Sequence, residues 1–271
     1  MKTRIVVSVI AVPILFVILF FLPPWCLAVF TAALCAAAAL EFTRALYADM
    51  PAAMQWLTAC AAALLPLSSI AGEGAGWAVK CLFLLGMFGY AIYSYEKQEP
   101  IPVRALLACM FSGLIYPMLI GALNGLKSMD NGHLLVLLPI VITFCCDSSA
   151  YFAGVFLGRH RVTPLVSPHK SAEGFAGGIV GGVVCLLIYG LIVSAATDLQ
   201  VNYLLLIAYG LLGSLCCEIG DLAYSLIKRQ CGVKDYGSLI PGHGGVLDRF
   251  DSMSFVAPAV YALVLLAPVM T

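Results

Sequence analysis

Nine stretches of this chain are each long and apolar enough to cross a lipid bilayer, and that repetition leaves few folds open. They cover residues 4–22, 25–46, 52–71, 76–94, 102–122, 133–157, 174–196, 201–228 and 252–270. A helix needs about 20 mostly apolar residues to span the hydrocarbon. Without water to satisfy backbone N–H and C=O groups, such segments can only be helical. Of the 271 residues, 62% are hydrophobic and 10% charged, against roughly 25% charged in a soluble domain. The expectation is an all-α, polytopic integral membrane protein with about nine transmembrane helices. The N-terminal run, Met1-Lys2-Thr3-Arg4 and an apolar stretch, imitates a signal peptide. No small-residue cleavage site separates it from the second stretch, so it reads as a retained helix.

Charge placement orients the spans. With the N-terminus in the cytoplasm, 12 Lys and Arg residues fall on the cytoplasmic side, and only Lys80 and Lys127 fall outside. The two long polar connectors, 158–173 and 229–251, then both face the cytoplasm. Two regions follow: 1–130, with about five spans, and 131–271, which carries the polar connectors. Zero net charge gives no field suited to nucleic acid. Most of the 11 cysteines lie within apolar runs and read as small packing residues, without zinc-type or disulfide-type spacing.

The second connector and its flanks form an island of charge. Residues 225–251 hold four of the 14 basic and three of the 14 acidic residues. In the preceding helix, Asp221 and Lys228 lie about 20° apart in projection, with Ser214, Glu218 and Ser225 within about 60° of Asp221. This polar stripe runs into the bilayer and on into the island. Charged residues there cost about 2.5–3.5 kcal/mol each at mid-helix, so a functional role is the default reading. The alternative is an ion pair or protonated acid that binds two helices together. Asp147, two to three turns inside helix 133–157, reads either as a site acid or as a structural hydrogen-bond partner. Gly154 and Gly158, and then Gly174, Gly178 and Gly182, recur every four residues and read as close-packing positions.

The connector Ser167-Pro168-His169-Lys170-Ser171-Ala172-Glu173-Gly174 opens the next helix. Free N–H groups at a helix start bind anions, and Lys170 adds a formal charge, so Lys170, Ser171 and Glu173 are candidate substrate contacts. Ser171 also reads as a plain helix cap. In the island, Asp248 and Asp251 are three residues apart and share a face on a helical turn. Together with Asp221 they favour a hard cation such as Mg²⁺, which takes few carboxylates plus phosphate oxygens. Lys228, Arg229, Lys234 and Arg249 are candidate phosphate ligands. Gly244 and Gly245 permit close backbone approach or unusual backbone angles. His243 reads equally as a phosphate or acid–base partner and as a turn-stabilising residue. Such a set suits phosphoryl or nucleotidyl transfer, which depends on positioning and charge neutralisation.

These residues resemble a family signature. Ser225-x-Ile227-Lys228-Arg229, Lys234-Asp235-x-Gly237 and Ile240-Pro241-x-His243-Gly244-Gly245-Val246-x-Asp248-Arg249-Phe250-Asp251 look like the motif of phosphatidate cytidylyltransferases, also called CDP-diacylglycerol synthases. Asp147-Ser148-Ser149-Ala150-Tyr151-x-x-Gly154 and Ser167-Pro168-x-Lys170-Ser171-x-Glu173-Gly174 are similar to the family's other polar segments. Ser171 and Ala172 stand where members often have Thr and Trp; Ser171 keeps the hydroxyl and Ala172 drops the aromatic ring. Residues 1–130 show only generic hydrophobic similarity.

The resemblance implies that CTP and phosphatidate give CDP-diacylglycerol and pyrophosphate at the cytoplasmic face of a bacterial inner membrane. It implies Asp221 and Asp248 as metal ligands, with Asp251 a further candidate, and Lys228 and Arg229 as phosphate ligands. It also implies Mg²⁺, admits a second, monovalent cation such as K⁺, and is compatible with a homodimer. The competing readings are a CTP-dependent lipid-alcohol kinase and, from a different class, an ion-coupled transporter. Against the transporter stand the lack of an internal repeat and the gathering of charge on one membrane side.

Overall fold

The computed structural model describes residues 13–239 and 244–270. It is all-α: β pairing among the described residues is confined to isolated bridges, such as Arg161 with Ser171 and Val201 with Met270. A short helix over residues 13–20 (α1) is the described part of the first expected span. Eight helices among the described residues are long and apolar enough to cross a membrane. They are α2 (Pro24–Leu46), α3 (Ala52–Ala71), α4 (Glu73–Glu96), α5 (Val103–Lys127), α6 (Gly132–Leu157), α7 (Ala172–Ala196), α8 (Tyr203–Gln230) and α9 (Leu247–Leu266). Each matches one expected span. The largest boundary differences are the end of α5, at Lys127 rather than 122, and the start of α9, at Leu247 rather than 252. Asp248 in its first turn explains the early start, because carboxylates there interact favourably with the helix N-terminus.

Local signals set the boundaries. Pro24 stands at the first helical position of α2, where its missing N–H costs nothing. Pro51 and Pro102 precede α3 and α5. Within α5, a π turn over Phe111–Ile115 comes just before Pro117. Proline in a regular helix clashes with the carbonyl four residues earlier, and the wider turn relieves that conflict.

The chain divides into two compact units. The first runs up to Ser128 and regains the chain at Cys231–Arg249. Its core is built by Met50, Met54, Phe83, Met87 and Cys109 with small residues Ala61 and Ala105 between them. Asn124 of α5 donates to Thr31 of α2 at 3.0 Å, which satisfies two buried polar groups across that helix pair. Gly113 lets α5 approach closely, since a Cβ there would lie 2.8 Å from the Phe83 ring.

The second unit comprises Met129–Gln230 and the chain from Phe250. Its tightest pairing is α6 against α7, with α8 packed on both. The expected glycine ridge of α7 lies in these contacts. A Cβ at Gly178 would press on Glu218 of α8 and one at Gly182 on Ser214; Gly177, outside the four-residue repeat, faces Ala153 of α6 just as closely. Glycine here is a matter of helix separation, not of backbone conformation.

Gly177→Leu should therefore overpack the α6–α7 contact and cost about 1–3 kcal/mol. Adding Ala153→Gly should recover part of the loss by vacating the collision site. Thermal unfolding of the two variants in detergent measures both effects.

Candidate functional site

Helix α8 carries its polar residues on the expected stripe. Ser214 and Glu218 are buried, with Glu218 only 2% exposed. Asp221, one turn nearer the helix end, keeps its side chain 32% exposed. Lys170 reaches between them from the connector ahead of α7. Its Nζ lies 2.7 Å from Glu218 Oε2 and 2.7 Å from Asp221 Oδ2. Asp147 of α6 completes the acidic set; the Cys217 thiol donates to its Oδ1 at 3.3 Å. Burial alone would push the Lys170 value down, but the carboxylates of Asp221 and Glu218 outweigh it and hold the ammonium above the ordinary lysine value.

The connector is shaped to present that lysine. Val162 N–H donates to Lys170 O at 3.2 Å, and Ala172 N–H donates to His160 O at 2.9 Å. Arg161 Nη1 donates to His169 O at 2.7 Å. Glu173 ties down the other strand of this pin: it accepts from the N–H groups of Arg159 (3.0 Å) and His160 (3.2 Å), and pairs with the His160 ring at 2.6 Å. Ser171 caps α7, its hydroxyl accepting from Gly174 N–H at 3.1 Å.

The amides of Ala172 and Gly174 thus already have acceptors inside the protein. Two of the amides expected to be open to an anion at this helix start are therefore engaged. Lys170 projects from the connector between two of the acids, and Glu173 fixes the connector's shape.

These groups surround a cavity of about 520 Å³ lined by Asp147, Tyr151, Arg161, Lys170, Glu218 and Asp221 among others. Asp251, buried at 8% exposure in α9, lies within electrostatic reach of Asp221, Lys228 and Asp147. Its Oδ1 accepts the neighbouring Ser252 N–H at 2.8 Å. Ser225 and Lys228 are half-buried on α8. Arg229 is exposed and its Nε donates to Val166 O at 3.2 Å, which fastens the connector to the end of α8.

Asp248 belongs to the first unit. Its Oδ2 accepts from Tyr236 N–H at 2.9 Å and from Gly245 N–H at 3.1 Å. Gly244 has φ +85°, a conformation that L side chains rarely adopt, as its role in the island predicts. Lys234 and Arg249 are exposed. His243 lies outside the described residues.

The donor set of the second unit fits a hard cation. It offers carboxylate oxygens, with three acids facing Lys170 and Arg161 around one cavity. Glu218 Oε1 is buried with no hydrogen-bond partner, a feature that invites a cation or donor. Among the described residues no three His, Cys, Asp or Glu side chains form a ready-made metal cage. Mg²⁺ does not need one, since it binds through one or two carboxylates together with water and phosphate oxygens.

Sequence reasoning identified the acids and Lys170 but missed their direct pairing, which joins residues 48 positions apart. It also missed Arg161 and Tyr151 as cavity residues; Tyr151 stood in the quoted Asp147–Gly154 segment without a role, and Arg161 lay beside the Lys170 connector.

Fold and cavity define a polytopic membrane protein with an acid-lined pocket bridged by one lysine. A sequence profile of the Cytidylyltransferase family matches residues 2–267, and the chain belongs to that family. Three relatives are similar over their shared region. Phosphatidate cytidylyltransferase of Bacillus subtilis (strain 168) is 38% identical over 161 residues, 59% of this chain and 57% of the relative. The enzyme of the same name from Staphylococcus epidermidis (strain ATCC 12228 / FDA PCI 1200) is 37% identical over 146 residues, 54% of this chain and 55% of the relative. That from Staphylococcus aureus (strain COL) is 38% identical over 146 residues, with the same 54% and 55% coverage. The chain thus spans little more than half the length of the curated relatives it matches.

Lys170→Met should leave Glu218 buried without its counter-charge. Removing one partner of a buried pair costs about 3–5 kcal/mol, with the partial exposure of Lys170 favouring the lower end. Adding Glu218→Gln should restore part of the lost stability in a chemical-denaturation comparison.

The raised Lys170 value also has a pH signature. Its stabilisation is fully present below the ordinary lysine value of about 10.4 and is lost only as pH rises through the higher folded value. At pH 9 an amine-acylating reagent should therefore label exposed Lys234 well ahead of Lys170, as read by peptide mass spectrometry.

Proposed function

We propose that this protein transfers the cytidylyl group of CTP to phosphatidate, giving CDP-diacylglycerol and pyrophosphate, at the cytoplasmic face of a bacterial inner membrane. The observation that carries this reading is the Lys170–Glu218–Asp221 cluster, a phosphate-suited cation held between acids within an apolar helix bundle. Family membership and the matched polar segments point the same way. A water-soluble nucleotide and a lipid headgroup can meet only where polar groups and lipid-facing helices adjoin.

A phosphate oxygen of phosphatidate attacks the α-phosphorus of CTP, a new P–O bond forms, and the bond to the β-phosphate breaks as pyrophosphate leaves. The lipid phosphate is already an anion, so no side chain has to serve as the nucleophile. The protein's task is to position two anions and offset their repulsion. Lys170, Lys228, Arg229 and Arg249 are the groups suited to bind phosphate oxygens. Asp221 and Asp248 are the proposed metal ligands, with Asp251 a further one. Bound Mg²⁺ would neutralise phosphate charge and orient the α-phosphate. A monovalent cation such as K⁺ would suit the remaining carboxylate oxygens.

Purified protein given CTP, phosphatidate and Mg²⁺ should release pyrophosphate and place the cytidylyl label in lipid. Asp248→Ala should abolish that incorporation while the protein still inserts and purifies. Transfer of the γ-phosphate label to a lipid alcohol would instead identify a kinase. Failure of any turnover in detergent, with ion-driven flux in sealed vesicles, would identify a transporter.

A further inference from the structure

Glu41 sits near the end of α2, in the half of the chain where sequence gave only generic hydrophobicity, yet it is a buried acid at 9% exposure. Its two oxygens are both used within the first unit. Oε1 accepts from Val246 N–H at 3.0 Å, and Oε2 accepts from Leu247 N–H at 2.9 Å. The carboxylate fills a space that two glycines leave open: a Cβ on either Gly237 or Gly245 would collide with it. The next residue, Phe42, packs its ring 5.8 Å from that of Tyr236. Glu41 and Asp248 therefore divide the work of holding one segment. Asp248 takes the amides of Tyr236 and Gly245, and Glu41 takes the two amides that lead into α9.

A helix start leaves its first amides without intrahelical partners, and a negative charge there is favourable. A local Ser or Asp side chain can meet that need. Here it is met by an acid 205 residues earlier in the chain, which ties the island to the N-terminal helices.

We propose that Glu41 is a positioning residue for the transferase site, setting the segment that presents Asp248. The inference rests on the proposed cytidylyl transfer. Without the Glu41 oxygens, the amides of Val246 and Leu247 lose their acceptors, and the segment that carries Asp248 loses the contact that fixes it immediately before that residue. The charge and both oxygens matter, not merely the bulk: an amide in the same place would point an N–H donor at a backbone N–H donor.

The test compares the wild-type chain with Glu41→Gln and Glu41→Asp, each purified at full length. Two readouts are taken: steady-state cytidylyl transfer with varied Mg²⁺, and Mn²⁺ binding followed by electron paramagnetic resonance without substrate. Glu41→Gln is expected to lower kcat at least tenfold, raise the Mg²⁺ activation constant several-fold and weaken Mn²⁺ binding by a similar factor. The KM for phosphatidate should stay within twofold. Glu41→Asp keeps the charge but is too short to reach both amides, and should fall between the two.

Glu41→Gln with kcat and Mn²⁺ affinity within twofold of wild type overturns the proposal. So does loss of activity that only follows the folded fraction and is no better in Glu41→Asp. Should Glu41→Gln not fold, Glu41→Asp carries the same two readouts against the same limits. A wild-type chain that binds Mn²⁺ but makes no CDP-diacylglycerol would sink the activity reading alone. The Mn²⁺ comparison would still decide the role of Glu41.

Discussion

An ammonium wedged between two carboxylates is the constraint on which the second unit depends. Glu218 is almost fully buried, and an isolated ionised carboxylate in that setting costs several kcal/mol. Lys170 offsets that cost only if its connector holds it at contact distance, and the connector's internal hydrogen bonds achieve this. The main-chain pairing of residues 160–172, the Glu173 grip on the Arg159 and His160 amides, and the Ser171 cap all converge on the same lysine. The glycine face of α7 matters for the same reason. Gly178 and Gly182 stand where any Cβ would press on Glu218 or Ser214, so the helices close around the acids without displacing them.

The same arrangement gives the cavity its chemistry. Its charges are held in place by folding, so little reorganisation is left for a reaction step. The pairing also sets a condition on ligand entry. Lys170 is already shared by two acids, so any anion drawn to it must compete with them.

In the first unit the logic is different. The described residues between 231 and the start of α9 form no helix, yet Asp248 and Glu41 fix four of the amides there. The motif residues that look like a self-contained signature are held by an acid from a helix with no motif at all. A buried glutamate within α2 carried no local cue, because its partners are backbone amides and its space is made by two distant glycines.

What could be read from residue order followed from periodicity and local chemistry. Spans of about 20 apolar residues have no state in lipid except the helix. Helical phase alone put Ser214, Glu218 and Asp221 on one stripe, and the four-residue glycine repeat announced close packing. Gly244 and Gly245 were marked for close approach or unusual backbone angles, and each took a different one: Gly244 the positive φ, Gly245 the close approach to Glu41. Contacts between distant segments were not legible. That Lys170 pairs with Glu218 and Asp221, that Glu173 serves the connector and that Glu41 holds the island all depend on which side chains meet after helices pack. Within one helix, position is set by a fixed rise and turn, so sequence determines it. Between helices it is set by the balance of burial, charge pairing and steric fit over the whole unit, and only the tertiary structure resolves that balance.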